Sequence, residues 1–143
     1  MFIYTLQMSK WRSVPQDEYF LIDVTIKSLN EQARRLFAPP SSKLVYGLKQ
    51  GHITTSEFSE IYLSHLKETS TLYFDEWKDF ITKGPEKAIL MCYCSPGSFC
   101  HRHLLADYLE RFSLLIDETA MNFGEFSLDS INDERVRYVY SKD

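Results

Sequence analysis

Cys92, Cys94, Cys100, His101 and His103 put five sulfur or imidazole donors into twelve residues, with Arg102 among them. Thiolates act as nucleophiles or metal ligands, imidazole moves protons or binds metal, and guanidinium offers a planar fork of donors to phosphate or carboxylate. Three chemistries are therefore open to this stretch, and its local structure decides among them. The apolar run Ala88–Cys92 leads in, Ser95, Pro96 and Gly97 are turn residues, and an amphipathic run leads out from His103. This is the pattern of a strand, a tight loop and a helix start.

Anion binding is the least demanding of the three. Free N–H groups and the positive end of a helix dipole gather where such a loop enters a helix. Ser95, Gly97 and Ser98 supply small residues with accessible amides, and Arg102 supplies a guanidinium. The alternative for Arg102 is an ordinary solvated helix residue. Cysteine chemistry is the second. A phosphatase-type loop needs Cys, five residues and Arg, but that count from Cys94 reaches Cys100 and from Cys92 reaches Ser98. Cys100 beside His101 remains a candidate low-pKa nucleophile with His101 as acid or base, against the plainer role of a sulfur packed beneath a helix. Zinc is the third, with Cys94, Cys100, His101 and His103 as the possible tetrahedron. Spaced C-x-x-C pairs and a second cluster are lacking, so the expectation is no metal and no cofactor. Cys92, within an apolar strand, is expected in the core.

Other residues gather around this corner if the strands run parallel. Ser9, Trp11 and Arg12 follow a first strand, Asp23 and Lys27 lie in or just after a second, and Tyr93 sits inside the motif. Trp11 or Tyr93 is a stacking surface for a base. Asp23 meets a ribose hydroxyl or orients Arg102 or Arg12, unless it caps a neighbouring loop.

The elements that must position these residues are read from periodicity. Met1–Gln7 alternates like a strand, Met8–Tyr19 reads as a loop, and Tyr19–Lys27 reads as a strand buried on both faces. Ser28 or Asn30 caps a short helix ending before Pro39-Pro40, and a second short helix closes near Gly51. Thr54 and Glu57 form a capping-box pattern ahead of a helix whose apolar face carries Phe58, Ile61, Tyr62 and Leu66. Phe74, Trp77 and Ile81 mark another helix, stopped by Gly84-Pro85. The helix after the motif runs to about Leu115. Beyond it, 114–120 reads as a short strand, 122–134 as a loop or lid, and 135–141 as a last strand. Strands alternating with helices predict one domain over 1–143, a Rossmann-like three-layer α/β fold with a mainly parallel sheet. Ligands of such sheets sit beyond the carboxyl ends of the strands.

Composition narrows the partners. A formal net charge of −4 argues against extended nucleic-acid binding, which needs a basic footprint. No run approaches the roughly 20 apolar residues of a membrane span, and the N-terminus lacks a signal pattern. Three cysteines within nine residues do not make a secreted disulfide framework. The expectation is a cytoplasmic protein without membrane contact. Nine Tyr and ten Phe leave rings for a pocket, a partner or a homodimer face.

Cys92-Tyr93-Cys94, the run Phe99–Leu109, Leu21–Ser28 and Gln7–Arg12 together resemble the uncharacterised domain-of-unknown-function family numbered 488. Cys100-His101-Arg102 matches its Cys-His-Arg element, and Asp23-Val24 matches its Asp-Val-Arg-like strand end. Thr25 stands where many members carry Arg, and Lys27 is the substitute. The resemblance implies a Rossmann-like fold and nucleotide or nucleic-acid-linked substrates. It is strongest to compact phage and bacterial members, which implies host cytoplasm and an anti-defence role for a phage-encoded chain. The leading expectation is binding, or sequestration, of a phosphate-bearing nucleotide-like molecule, such as an ADP-ribose-type or cyclic nucleotide signal, at the Cys94–Arg102 loop. The alternatives are a hydrolase or transferase working through Cys100 and His101, and a protein-interaction module.

Overall fold

Strict alternation in Phe2–Gln7 (β1) sends Ile3 to one face of a sheet and Tyr4 and Leu6 to the other, all buried. Lys87–Cys92 (β3) does the same with Ala88 and Leu90 against Ile89 and Met91. The two strands run parallel, from Phe2 opposite Lys87 to Gln7 opposite Cys92. Phe20–Asp23 (β2) lies parallel to β3 on its other side, and Asn122–Glu125 (β4) lies parallel to β1. Arg137–Tyr138 (β5) adds an antiparallel strand beyond β4, so the sheet order is β2-β3-β1-β4-β5. This computed structural model describes residues 2–93, 99–116, 122–125 and 137–138.

Among the described residues five α-helices accompany the sheet: Glu31–Phe37 (α1), Ser42–Lys49 (α2), Thr55–Leu72 (α3), Phe74–Lys83 (α4) and His101–Leu115 (α5). The face carrying Ile3, Ile22, Val24, Ala88 and Leu90 packs on side chains of α1, α3, α4 and α5, with Trp77 and Tyr62 fully buried among them. Burial of each large apolar side chain there contributes about 1.5–3 kcal/mol. Among the described residues the opposite face is covered instead by Met8, Val14 and Tyr19, from the chain that follows β1. A mixed α/β architecture with parallel pairing is therefore present, with the described helices gathered on one side.

Several local expectations change. The second strand is four residues long rather than Tyr19–Lys27, because Asp23 ends it. The Asp23 carboxylate accepts from the Thr25 N–H at 2.9 Å and the Thr25 hydroxyl at 2.7 Å, turning the chain out of the sheet. It also lies at one edge of the described sheet, with Phe20 exposed, rather than being buried on both faces. Residues 122–125, expected in a loop, pair with β1 because a parallel neighbour satisfies that strand's remaining backbone groups. Leu114 and Leu115 belong to α5 rather than to a strand. The segment after β1 is not irregular: Met8–Ser13 forms a 3-10 turn. Ile61 and Phe74 fall on partly solvated flanks of their helices. No helix among the described residues is long and apolar enough to cross a membrane.

Candidate functional site

Parallel pairing brings the carboxyl ends of β1, β2 and β3 to one edge, so Met8, Val24 and Tyr93 leave the sheet side by side. A cavity of about 360 Å³ opens at the ends of β2 and β3. Its walls come from the turn after β2 (Thr25, Ile26, Lys27), from α2 (Tyr46, Lys49) and from Phe58 near the start of α3. Tyr93, Phe99, Cys100 and His101 complete it, with Cys92 at the end of β3. Pro39-Pro40 stops α1, and Ser41 then caps α2 by accepting from the Leu44 N–H at 3.2 Å, which is why Tyr46 and Lys49 reach this rim. The spacing of three between them puts the Lys49 ammonium 5.9 Å from the centre of the Tyr46 ring.

The chemically distinctive part is buried. Strand alternation sends Cys92 to the same face as Ala88 and Leu90, where α5 begins. The Cys92 Sγ lies 3.7 Å from His101 Nδ1, and the Cys100 Sγ lies 3.9 Å from that same nitrogen. Nε2 of His101 is 2.8 Å from the Val24 carbonyl oxygen. A carbonyl only accepts, so Nε2 carries the proton and Nδ1 presents its lone pair to the two sulfurs in the neutral ring. The Tyr62 ring stands edge-on to the imidazole, with centroids 5.4 Å apart. Burial, and then the charges that Cys100 and Cys92 would carry, push the Tyr62 hydroxyl well above the usual phenol range. That hydroxyl donates to the Phe37 carbonyl.

The residues expected from sequence divide sharply. Lys27, Tyr93, Cys100 and His101 all line the cavity. Arg102 does not: its side chain is completely buried, because the second position of α5 faces the interior. Asp23 is engaged by the Thr25 turn, its capping alternative, rather than by a described contact with Arg102 or Arg12. Ser9, Trp11 and Arg12 are exposed in the 3-10 turn on the same sheet edge but outside the cavity lining. There the Arg12 guanidinium lies 5.3 Å from the Trp11 ring. Cys94, Ser95, Gly97 and Ser98 lie outside the described residues. His103 is half-buried in the first turn of α5 and is not part of the Cys92, Cys100, His101 group.

Contributors not read from sequence include Cys92, assigned to the core, and Tyr46, Lys49, Phe58 and Phe99. The alternation of Ala88, Leu90 and Cys92 already marks the face that Cys92 occupies. Nothing local places α2 over that face.

Comparison of the chain with models of known protein families, with curated proteins and with solved structures found no match.

Proposed function

We propose that the cavity binds a small phosphate-bearing, nucleotide-like molecule, with Lys27 and Lys49 taking the anion and Tyr46, Tyr93 or Phe99 stacking on the base. One observation carries this reading: two lysines and four aromatic rings of Tyr and Phe share a cavity of about 360 Å³ at the carboxyl edge of a parallel sheet. Ligand pockets commonly fall between about 300 and 1,000 Å³ and combine apolar walls with a few polar groups. The anion-binding role assigned to Arg102 passes to the two lysines. Ser95, Gly97 and Ser98 keep their proposed part as amide donors. Sequestration of an ADP-ribose-type or cyclic nucleotide signal, in a reducing cytoplasm, is the form of this function that the resemblance to the family numbered 488 favours. A further layer over the Tyr4 and Leu6 face would complete the three-layer arrangement.

Native mass spectrometry of freshly purified protein, followed by calorimetric titration with ADP-ribose and a cyclic mononucleotide, tests the reading. Binding is expected, and the double variant Lys27→Ala, Lys49→Ala should weaken it at least about tenfold, as loss of charge-assisted hydrogen bonds does. Absence of binding by the wild type, or undiminished binding by the variant, overturns it.

The approach of Cys100 Sγ to His101 Nδ1 at 3.9 Å supports a second reading, a thiol enzyme on the same ligand class. Cys100 would give its thiol proton to His101 Nδ1 and form a bond to phosphorus or to an anomeric carbon as the bond to the leaving oxygen breaks, that oxygen then taking the proton from Nδ1. This reading requires Cys100 to be alkylated well below pH ~8.5, the ordinary thiol range, and sluggish alkylation removes it.

A further inference from the structure

Cys92, Cys100 and His101 reach one point from two elements, the end of β3 and the start of α5. Their ligand atoms all lie within 4.8 Å of one another, and all three residues are buried. Zinc holds thiolate at about 2.3 Å and imidazole at about 2.0–2.1 Å in a tetrahedron, which requires sulfur–nitrogen edges of roughly 3.6 Å. The two edges here are 3.7 and 3.9 Å. Both sulfur–nitrogen edges thus have close to the spacing that the ion imposes, the sulfur–sulfur edge lies within 4.8 Å, and the strand cysteine Cys92 is brought to the adjacent Cys100-His101 pair by the fold alone.

The orientation of the imidazole points the same way. A metal-bound histidine characteristically gives its other N–H to a carbonyl or carboxylate, which fixes the ring and the tautomer. His101 does this through Nε2 to the Val24 carbonyl at 2.8 Å, leaving Nδ1 as the coordinating atom. Tyr62 holds the ring from its side. Charge balance also fits: two thiolates neutralise a divalent cation, so the assembled centre costs little to bury. Two sulfurs and one nitrogen select a soft or borderline ion over magnesium or calcium.

We propose that these three residues bind one zinc ion, with the fourth coordination position open to the cavity that they line. Among the described residues the group has three protein donors, and three plus an exchangeable position is the arrangement of zinc centres that bind water or substrate. This ligand set differs from Cys94, Cys100, His101 and His103, the four candidates apparent in sequence. It brings in the strand cysteine Cys92 and leaves out His103, while Cys94 lies outside the described residues. The proposal goes beyond the anion-binding reading and does not depend on it, because the ion can be measured without any organic ligand.

The test uses the full chain, reduced and stripped with chelator, then titrated with cobalt(II) and zinc(II). One equivalent of cobalt per chain is expected, with a sulfur-to-cobalt charge-transfer band and the intense visible bands of a tetrahedral site, both abolished by one equivalent of zinc. Cys92→Ser and Cys100→Ser should each lower zinc affinity at least about tenfold, and His103→Ala should leave it unchanged. The wild-type spectrum decides independently if a cysteine variant fails to fold. Failure of the reduced wild type to take up cobalt or zinc, a spectrum lacking thiolate bands, or undiminished affinity in the double variant Cys92→Ser, Cys100→Ser would each overturn the proposal. So would loss of binding in a folded His103→Ala.

Discussion

His101 and Val24 are joined by a 2.8 Å hydrogen bond from Nε2–H to the backbone carbonyl, tying the first residue of α5 to the chain just beyond β2. The bond satisfies a buried carbonyl and turns Nδ1 toward both cysteines. It makes the geometry of the cluster a property of the sheet edge rather than of the helix alone. Long-range nitrogen–proton spectra of the metal-free protein should show His101 as the Nε2–H tautomer. His101→Ala should cost roughly 2–4 kcal/mol in urea unfolding, from the orphaned carbonyl and the void beside Tyr62. The opposite tautomer would break this account of the cluster.

Tyr62 makes stability sensitive to alkali. Its folded-state pKa is raised by burial, and next by the two cysteines, while the unfolded chain ionises near the ordinary value of ~10. The unfolded state therefore releases a proton first, and stability falls as pH rises above that value. Tyr62→Phe should reduce stability near neutrality by about 1–2 kcal/mol, through loss of the bond to the Phe37 carbonyl, yet flatten this alkaline decline. Chemical denaturation between neutral pH and the phenol range measures both effects.

Arg35 and Glu76 link α1 to α4 at 2.8 Å, and Gln32 donates to the other Glu76 oxygen at 3.0 Å. The Arg35 bond first, and the Gln32 bond second, hold the Glu76 carboxyl below its usual range. Its stabilising contribution is thus present above the ordinary Glu pKa of ~4.3 and lost as pH falls through the lower folded value. Both side chains are about one-third exposed, so solvent screening limits the link to at most about 1 kcal/mol. Glu76→Gln should lose that amount at pH 7 and nothing at a pH below the folded carboxyl's titration.

Thr54 begins α3 with a reciprocal pair. Its hydroxyl oxygen accepts from the Glu57 N–H at 3.0 Å, and the Glu57 carboxylate accepts from the Thr54 N–H at 3.0 Å. Phe58 follows directly and walls the cavity, so the cap also places a ligand-facing ring. Thr54→Ala should cost about 1 kcal/mol by thermal or urea unfolding, with little change if the cap were incidental.

Much of the scaffold was legible because its signals are local. Alternation identified β1, the apolar run from Ala88 identified β3, the Thr54–Glu57 spacing announced α3, and Gly84-Pro85 marked the end of α4. Asn30, one of two proposed caps for α1, is the residue whose side chain accepts from the Ala33 N–H. The short strands were harder. Four residues at Asn122–Glu125 contain a glycine and no apolar alternation beyond Phe123, and they become a strand only because β1 offers an unpaired edge.

The candidate site shows the same division. The sequence alone determines which donors exist and that Cys100 and His101 stand at a helix start after an apolar strand, since residue type and period depend only on near neighbours. It does not determine that Cys92 joins them, that Arg102 turns inward, or that Lys49 and Tyr46 close the cavity. Those outcomes follow from where α5 and α2 pack against a twisted parallel sheet. Packing is decided by the burial of surfaces far apart in the chain, so tertiary structure alone converts a cysteine of the core into a potential ligand.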